Sequence, residues 1–409
     1  MDKLTKDTLA DIGLTHGTPA YVYFIDPILD RFRLLDEAFQ GRFSVSYAVK
    51  CNPNHELLRQ IKNNVITLDV SSIGEADVAI AAGFEAKDIT FSGPAKRPEE
   101  LRRAVELGVG EMVCESQYEL ETLDRLASDA GKRISVFIRV NPLKSPSGFG
   151  VRMAGKPSQF GIDEEDVSAV MSRFGMWTSL KLAGFHIYSG TNCLCEEAIA
   201  ENFSNYIELF TRFSEEQNLH PKKLIFGSGF GIPYHTEENP LNIRKLADLI
   251  TPLVDDLRSN PRMERTSFVL EMGRWLVGPH GYLITSVIGK KLSRGTNVCL
   301  CDAGFNNHLA ACGMLGSVIR RNWQFWNVSA HENSETETYT LVGPLCTTID
   351  VLASQIELPK LNPGSVLAIG NSGAYGLTAS PIHFIGHPAP REFLVSRRND
   401  RQSVFDVSS

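Results

Sequence analysis

The chain has 409 residues, of which 43% are hydrophobic and 22% are charged, and its formal net charge is -7. This length exceeds the size at which a single hydrophobic core stops growing, so we predict two domains. The negative balance, with no run of lysine and arginine to offset it, argues against a general nucleic-acid-binding protein and favours chemistry on small molecules.

The N-terminal segment predicts no export and no membrane anchor. Its sequence, MDKLTKDTLADIG, is too polar for a signal peptide, and no apolar run approaches the ~20 residues that a membrane span needs. We therefore expect a cytoplasmic protein. The eight cysteines show no CxxC spacing, and neither CLC triplet has a matching His or Cys pair nearby. We expect reduced thiols and no metal site.

Residues 26–275 read as one domain of repeated βα units. Short β-branched runs alternate there with amphipathic segments, such as 97–108 and 116–131, that end at glycine. The strand candidates are FSVSYAV, ITLDVSS, DITFSG, EMVCES, RISVFIRV, LAGFHIYSG, KLIFGSG and SFVLEMG. Eight such strands predict an α/β fold built on a closed (β/α)8 TIM barrel.

Residues 276–409 read as a second, β-rich domain. Helical patterns largely disappear beyond residue 275, and strand-like runs such as GYLITSVIG, TNVCLCDAGF and TYTLVGPLC dominate. The segment 20–25, AYVYFI, precedes the first barrel strand, and we expect it to pair with these strands. The β-rich domain would then also include residues 1–25.

Polar residues stand at the ends of four predicted barrel strands, where the loops of such a barrel converge and active sites form. Lys50 closes the first strand, and His186 ends the sixth. Glycines follow the seventh strand in GSGFGIPY (227–234), and Glu271 ends the eighth. Four strands that are distant in sequence would therefore place polar groups at the same end of the predicted barrel.

These residue types fit a phosphate held beside a reactive amine. The glycines of 227–234 offer backbone N–H groups that no side chain obstructs, and Ser189 and Arg274 would add a hydroxyl and a guanidinium. A lysine that can form an imine near a bound phosphate suggests pyridoxal 5'-phosphate. Glu271 would then lie against the pyridine nitrogen and keep it protonated.

Each residue taken alone also has a plain structural interpretation. Lys50 would extend its ammonium to the surface, His186 would be a hydrogen-bonded core histidine, and Glu271 would pair with Arg274 at i+3. The glycine cluster alone would be a tight turn. The chemical interpretation rests on their joint position at neighbouring strand ends.

A series of motifs in order and spacing resembles the fold-type III pyridoxal-phosphate decarboxylases. The motifs are YAVKCN, RVNP, HIYSG, GSGFGIPY, EMGR, DAG (302–304), GPLC (343–346) and GAYG (373–376). This family, that of the diaminopimelate and ornithine decarboxylases, implies an alanine-racemase-type barrel followed by a β domain. The segment 147–163 is similar to the secondary-metabolism branch, which includes the butirosin-type and siderophore decarboxylases.

The resemblance implies a role for each matched residue. Lys50 would carry the cofactor as an imine, His186 would stack on the cofactor ring, and Glu271 would meet the pyridine nitrogen. The other implied cofactor contacts are Ser189, Gly229, Gly273, Arg274 and Tyr375. Cys346 would be a proton donor that a second subunit contributes across a head-to-tail homodimer with shared active sites, although alone it would be a small strand residue.

Three positions of the substrate pocket depart from the family pattern. Ala310, Met314 and Thr347 stand where diaminopimelate decarboxylases have an arginine, a tyrosine and a glutamate that hold the far end of the substrate. Ornithine and lysine decarboxylases have an aspartate where Thr347 stands. Because each lost charged contact is worth roughly 1.5–3 kcal/mol, a free diamino acid is disfavoured as the substrate.

We therefore predict a decarboxylase that removes the α-carboxylate of an L-amino acid or of an amino-acid conjugate. The substrate would be tethered to a carrier protein or be a siderophore precursor. One alternative is a diaminopimelate decarboxylase of lysine biosynthesis, and Glu271 disfavours a racemase. A non-catalytic, pyridoxal-phosphate-binding regulatory homologue is an alternative of another class, and the presence of both Lys50 and Cys346 argues against it.

Overall fold

The computed structural model describes residues 1–144, 147–313, 321–331, 333–398 and 401–408, which fall into two units. The first, here called the barrel unit, consists of Leu29–Ile232 and Pro240–Trp275. The second, here called the β unit, consists of Met1–Ile28, Pro233–Asn239 and Leu276–Ser409.

The elements of the first two thirds of the chain alternate between strand and helix. Three of them precede the barrel strands: α1 (Lys3–His16), β1 (Ala20–Phe24) and α2 (Ile25–Phe39). Those that follow are β2 (Ser44–Ala48), α3 (His55–Ile61), β3 (Thr67–Val70), α4 (Ile73–Ala81), β4 (Ile89–Phe91), α5 (Pro98–Leu107), β5 (Glu111–Cys114), α6 (Gln117–Asp129), β6 (Ile134–Asn141), β7 (Val151–Arg152), β8 (Ile162–Asp163), α7 (Glu164–Ser172), β9 (Leu180–Ile187), β10 (Gly190–Thr191), α8 (Glu196–Glu216), β11 (Lys223–Gly227), α9 (Ile243–Ser259), β12 (Ser267–Met272) and α10 (Arg274–Val277).

Eight parallel strands close into a barrel. Their order is β2, β3, β4, β5, β6, β9, β11 and β12, and β12 returns to pair with β2. These are the eight strands that the sequence predicts, so the predicted TIM barrel is confirmed. Because parallel strands in such a barrel are covered on both faces, β3, β4 and β5 are buried at every position. Inward-facing apolar residues form one core cluster: Val113, Phe137, Ala183, Ile225 and Val269.

Side-chain caps fix where the barrel helices begin. The Ser72 side chain accepts a hydrogen bond from the Glu75 N–H at the start of α4, and Ser116 does the same for Glu119 in α6. These bonds satisfy backbone N–H groups that have no partner within the helix. At the other end of α5, Gly108 has a φ of 79°, a left-handed conformation that favours glycine. The short loops that result hold each helix beside its strand.

The β unit is a mostly antiparallel sheet. Its later strands are β13 (Gly281–Ser293), β14 (Thr296–Cys301), β15 (Phe325–Asn327), β16 (Thr336–Val342), β17 (Val351–Pro359), β18 (Val366–Ile369), β19 (Arg391–Arg398) and β20 (Arg401–Asp406). Strand β1 lies between β13 and β19, antiparallel to the first and parallel to the second. The predicted pairing of AYVYFI with this sheet is therefore present. None of the helices within the described ranges is long and apolar enough to cross a membrane.

A buried neutral histidine lies in the β unit. His308 Nδ1 accepts a hydrogen bond from the Ala311 N–H at 3.3 Å, and Nε2 lies 3.1 Å from Ser372 Oγ. Because an amide N–H can only donate, Nδ1 must keep its lone pair, and the ring proton is assigned to Nε2. Burial lowers the pKa of His308 to about 3.

Because His308 is buried and neutral, we expect the folded protein to lose stability in mild acid. The pKa is below its unfolded value of about 6.5, so the unfolded chain binds an extra proton as the pH falls through that value, and the folded state loses stability. Between about pH 7 and about pH 5, wild type should lose about 2 kcal/mol more free energy of unfolding than the His308→Leu variant. Urea denaturation at the two pH values measures this change. Equal losses in both proteins would contradict it, and the same substitution at the exposed His220 is the control.

Candidate active site

Four neighbouring strand ends bring predicted site residues together in the barrel unit. Lys50 lies in the turn Val49–Cys51 that follows β2, His186 is in β9, Gly229 follows β11, and Glu271 is in β12. In the closed barrel β2 pairs with β12, β12 with β11, and β11 with β9. Since parallel strands all end on the same face, these residues share one edge of the barrel.

The Lys50 amine lies between two buried carboxylates. Its Nζ is 3.4 Å from Asp69 Oδ2 and 3.6 Å from Glu271 Oε1, while 39% of its side chain stays exposed. Burial disfavours the ammonium form, but the charges of Asp69 and Glu271 outweigh it and raise the pKa of Lys50. The Lys50 ammonium therefore lies beside two carboxylates at the strand end, and its role as the imine-forming lysine stays a prediction.

Asp69, at the end of β3, is a site residue that sequence reasoning missed. It is 2% exposed, and burial together with the charge of Glu271 raises its pKa to about 7. The only sequence signal was a carboxylate inside the apolar run ITLDVSS. A buried carboxylate that titrates near neutral pH beside an ammonium group is typical of functional sites.

His186 and Glu271 form a buried pair. His186 Nε2 lies 2.6 Å from Glu271 Oε2, and both side chains are less than 5% exposed. Burial opposes ionisation of Glu271, yet Lys50 and His186 lower its pKa to about 2. Burial also lowers the pKa of His186. We therefore describe a neutral imidazole that donates from Nε2 to an ionised carboxylate, whose second oxygen faces Lys50.

An ion pair supports His186 from the next strand. Arg139, in the motif RVNP, stands opposite His186 in the register of β6 and β9. Its Nη1 donates to Glu115 Oε1 at 2.8 Å, and both side chains are buried. Glu115 also accepts hydrogen bonds from the N–H groups of Gly93 and Gly161. One carboxylate thereby joins three loops at the carboxyl edge of the barrel.

The predicted cofactor contacts of the barrel unit other than Lys50, His186 and Glu271 lie in three loops at this edge. Ser189 follows β9, Gly229 follows β11, and Gly273 and Arg274 follow β12. Gly229 has a φ of 65°, and a Cβ there would lie 2.8 Å from the Gly190 carbonyl oxygen. A Cβ at Gly273 would lie 2.2 Å from the Cys51 sulfur. Only glycine fits at both positions.

Two orphaned polar atoms fit the predicted cofactor. The Ser189 hydroxyl is buried and makes no hydrogen bond of normal geometry among the described residues, and the same holds for His186 Nδ1. Buried polar atoms normally have partners, so an unmet hydroxyl beside a glycine loop fits a bound phosphate. Lys50 supplies the amine and Glu271 an ionised carboxylate. The residues present therefore fit pyridoxal 5'-phosphate.

Tyr188 is a second residue to which sequence reasoning gave no role. Its ring lies over Gly227, where a Cβ would be 2.4 Å from Tyr188 Cδ2. Burial and the charge of Glu271 raise the pKa of this phenol, while Lys50 and Arg274 lower it. The hydroxyl is therefore within electrostatic reach of three predicted site residues.

Two loops of the β unit carry the remaining predicted residues. The pocket loop, residues 302–313, contains Ala310, and the cysteine loop, residues 343–350, contains Cys346 and Thr347. Cys346 is exposed, while Ala310 and Thr347 are partly exposed. Tyr375 follows β18 with a φ of 54°. Met314 lies outside the described residues.

A buried carboxylate joins these two loops, and sequence reasoning did not identify it. Asp350 is 2% exposed; its Oδ1 accepts from the Phe305 N–H and its Oδ2 from the Leu345 N–H, both at 2.8 Å. A Cβ at Gly304 or Gly343 would lie 2.5 or 2.3 Å from these oxygens. The glycines therefore admit the carboxylate, which holds the pocket loop and the cysteine loop together.

Comparisons with known proteins agree over most of the chain. The family model described as the pyridoxal binding domain of pyridoxal-dependent decarboxylases matches residues 25–278. The L-glutamyl-(BtrI acyl-carrier protein) decarboxylase of Niallia circulans is 35% identical over 92% of this chain and 88% of its own length. The 2-((L-alanin-3-ylcarbamoyl)methyl)-2-hydroxybutanedioate decarboxylase of Staphylococcus aureus is 28% identical over 93% of this chain and 94% of its own length.

A solved structure agrees as well. The crystal structure of diaminopimelate decarboxylase from Helicobacter pylori complexed with L-lysine superposes with a TM-score of 0.83 and 26% identity. The superposition covers 96% of this chain and 95% of that chain. The similarity therefore extends over both the barrel unit and the β unit.

Proposed function

Because the chain belongs to the pyridoxal-dependent decarboxylases and uses pyridoxal 5'-phosphate, we propose that it decarboxylates an L-amino acid whose far end is conjugated, in a secondary-metabolic pathway. The conjugate would be a carrier-protein thioester or an acyl amide. The relative from Niallia circulans, by its name, acts on a glutamyl group on a carrier protein. The relative from Staphylococcus aureus, by its name, acts on an alanine joined through an amide to a hydroxy diacid.

The observation that carries this proposal is the absence of charge at two pocket positions. Ala310 has no polar side chain, and Thr347 is uncharged. A free carboxylate or ammonium at the far end of a substrate would lose its water there without an ionic partner, which is unfavourable. A far end that is already an amide or a thioester carries no charge at that point and avoids this penalty.

The barrel residues would hold the cofactor. We assign the imine to Lys50, the ring face to His186, the pyridine nitrogen to Glu271, and the phosphate to a set that the resemblance extends into the β unit. That set is Ser189, Gly229, Arg274 and Tyr375, while Gly273 is assigned to the cofactor without a phosphate contact. When bound, the cofactor would supply an electron sink for the electron pair that stays on Cα when CO2 leaves. An ionised Glu271 supports this role because it keeps the nitrogen protonated.

Proton transfers would fall to the amine and the thiol. Lys50 would hold the cofactor through its amine, and Glu271 would offer a carboxylate oxygen to the pyridine nitrogen. We assign to Cys346 the delivery of a proton to Cα after CO2 leaves. The thiol is exposed. This fits the homodimer that the resemblance implies, in which each subunit donates Cys346 to the other.

A substrate panel tests the proposal. Release of CO2 by the cofactor-loaded protein is measured with meso-diaminopimelate, ornithine, lysine, a glutamyl carrier-protein thioester and a citryl-diaminopropionate conjugate. We expect turnover only with a conjugated substrate, because the pocket positions 310 and 347 offer no ion to a free tail. Efficient turnover of meso-diaminopimelate would overturn the proposal in favour of lysine biosynthesis, which the similarity to the Helicobacter pylori enzyme makes the second candidate.

A further inference from the structure

The segment 147–153, here called the strap, is bonded to the loop that carries Ser189. It follows β6 in the sequence, and β7 within it pairs antiparallel with β10. The Met153 N–H donates to the Ser189 carbonyl oxygen at 2.8 Å, and the Gly150 N–H donates to the Thr191 carbonyl oxygen at 3.0 Å. The strap and the loop after β9 are therefore one hydrogen-bonded piece of backbone.

One aromatic ring of the strap occupies the space that two glycines leave open. Phe149 is 7% exposed. A Cβ at Gly229 would lie 2.6 Å from Phe149 Cε1, and a Cβ at Gly190 would lie 2.9 Å from Phe149 Cδ1. The ring thus touches the loop after β9 and the loop after β11 at once, and it fills the gap between them.

We infer that Phe149 is a positioning residue that holds the loops of Ser189 and Gly229 at the spacing that the cofactor phosphate needs. The inference rests on the proposed assignment of those two residues to the phosphate. A phosphate held by several donors requires each of them in place, and displacements near 1 Å weaken such sites strongly. Removing the ring would leave a cavity into which either loop could shift.

The contact between Phe149 and these two loops should also act in reverse, so that a bound phosphate orders the strap. Binding energy at Ser189 and Gly229 would stabilise the loop arrangement on which Phe149 rests. Since Lys144 is exposed just before the strap and Arg152 lies within it, trypsin can report the order of the strap. Bound pyridoxal phosphate should therefore slow cleavage after Lys144 and Arg152.

A comparison of pyridoxal phosphate with pyridoxal distinguishes the positioning role of Phe149 from a general contribution of this residue to folding. It forms the same imine with Lys50 but has no phosphate, so a defect confined to the phosphate site weakens only pyridoxal phosphate. We measure the Kd of both compounds by titrating full-length apo-protein prepared from the holoenzyme. Phe149→Ala should weaken pyridoxal phosphate by at least about tenfold and leave pyridoxal nearly unchanged. Phe149→Leu should restore part of the loss, because it refills most of the space.

Two further variants make each outcome decisive. Phe84 is 5% exposed and packs near Lys62, away from these loops, so Phe84→Ala should change neither Kd. If Ser189→Ala lowers the preference for pyridoxal phosphate but Phe149→Ala does not, Phe149 is only a core residue and the inference is wrong. If Ser189→Ala also leaves the preference intact, the phosphate assignment itself fails. Equal protection of the strap by both compounds would likewise overturn the coupling.

Discussion

The Lys50→Ala protein is expected to release CO2 at least ~10²–10⁴-fold more slowly than wild type and to retain no cofactor covalently. The amine is the proposed point of attachment, and no other lysine takes its place between Asp69 and Glu271 among the described residues. Borohydride reduction of the loaded protein followed by mass spectrometry measures attachment, which should map to the peptide with Lys50 in wild type and be absent in the variant.

A matched variant separates covalent chemistry from charge. Removing Lys50 leaves two buried carboxylates facing each other without a cation, which lowers stability as well as activity. Lys50→Arg keeps a cation there but cannot form the imine. It should therefore be as inactive as Lys50→Ala while unfolding closer to wild type. Release of CO2 at the wild-type rate by either variant would contradict the proposed mechanism.

Mixed dimers of Lys50→Ala and Cys346→Ala should recover activity that neither parent has. If each subunit donates its thiol to the other's barrel, a heterodimer contains one site with both residues intact and one site with neither. Random exchange of equal amounts makes half of the dimers mixed, so about a quarter of the wild-type rate is expected. The measurement is CO2 release, with the substrate identified by the panel, after subunit exchange.

The exchange itself must be demonstrated for this result to count. Two different affinity tags allow the heterodimer to be isolated and assayed alone. A mixture of Lys50→Ala with Ser189→Ala is the control, because both of these defects lie in the barrel unit and cannot complement across the dimer by donation of a thiol. Proven heterodimers that stay inactive would show that Cys346 does not act across a subunit interface.

The barrel could be predicted because its strands are buried on both faces. Runs such as EMVCES and KLIFGSG each contain three consecutive apolar residues, MVC and LIF, and end at serine or glycine, so the number and order of the strands could be predicted without tertiary information. Lys50, His186 and Glu271 were identifiable as strand-end residues for the same reason. Their distances and charge states depend on the pairing of β2, β9, β11 and β12, which only the closed barrel fixes.

Residues that act through tertiary contacts could not be predicted. Asp69 could not be assigned to the site, since the run ITLDVSS contains nothing to indicate that Lys50 Nζ lies 3.4 Å from its carboxylate. Phe149 has no signal of its role in the sequence, because its partners Gly190 and Gly229 are 41 and 80 residues further along the chain. Asp350 likewise has hydrogen bonds to a loop that precedes it by 45 residues.

The hydrogen bonds of the Asp350 carboxylate, which connect the pocket loop to the cysteine loop, restrict how this protein can acquire new substrates. A residue inserted or deleted in the pocket loop would pull on the Phe305 amide and, through the shared carboxylate, would displace the loop of the proposed proton donor. A substitution at Ala310 or Thr347 leaves these hydrogen bonds to Asp350 intact. Evolution of the substrate range is therefore expected to proceed by point substitution at constant loop length, with chemistry preserved at every step.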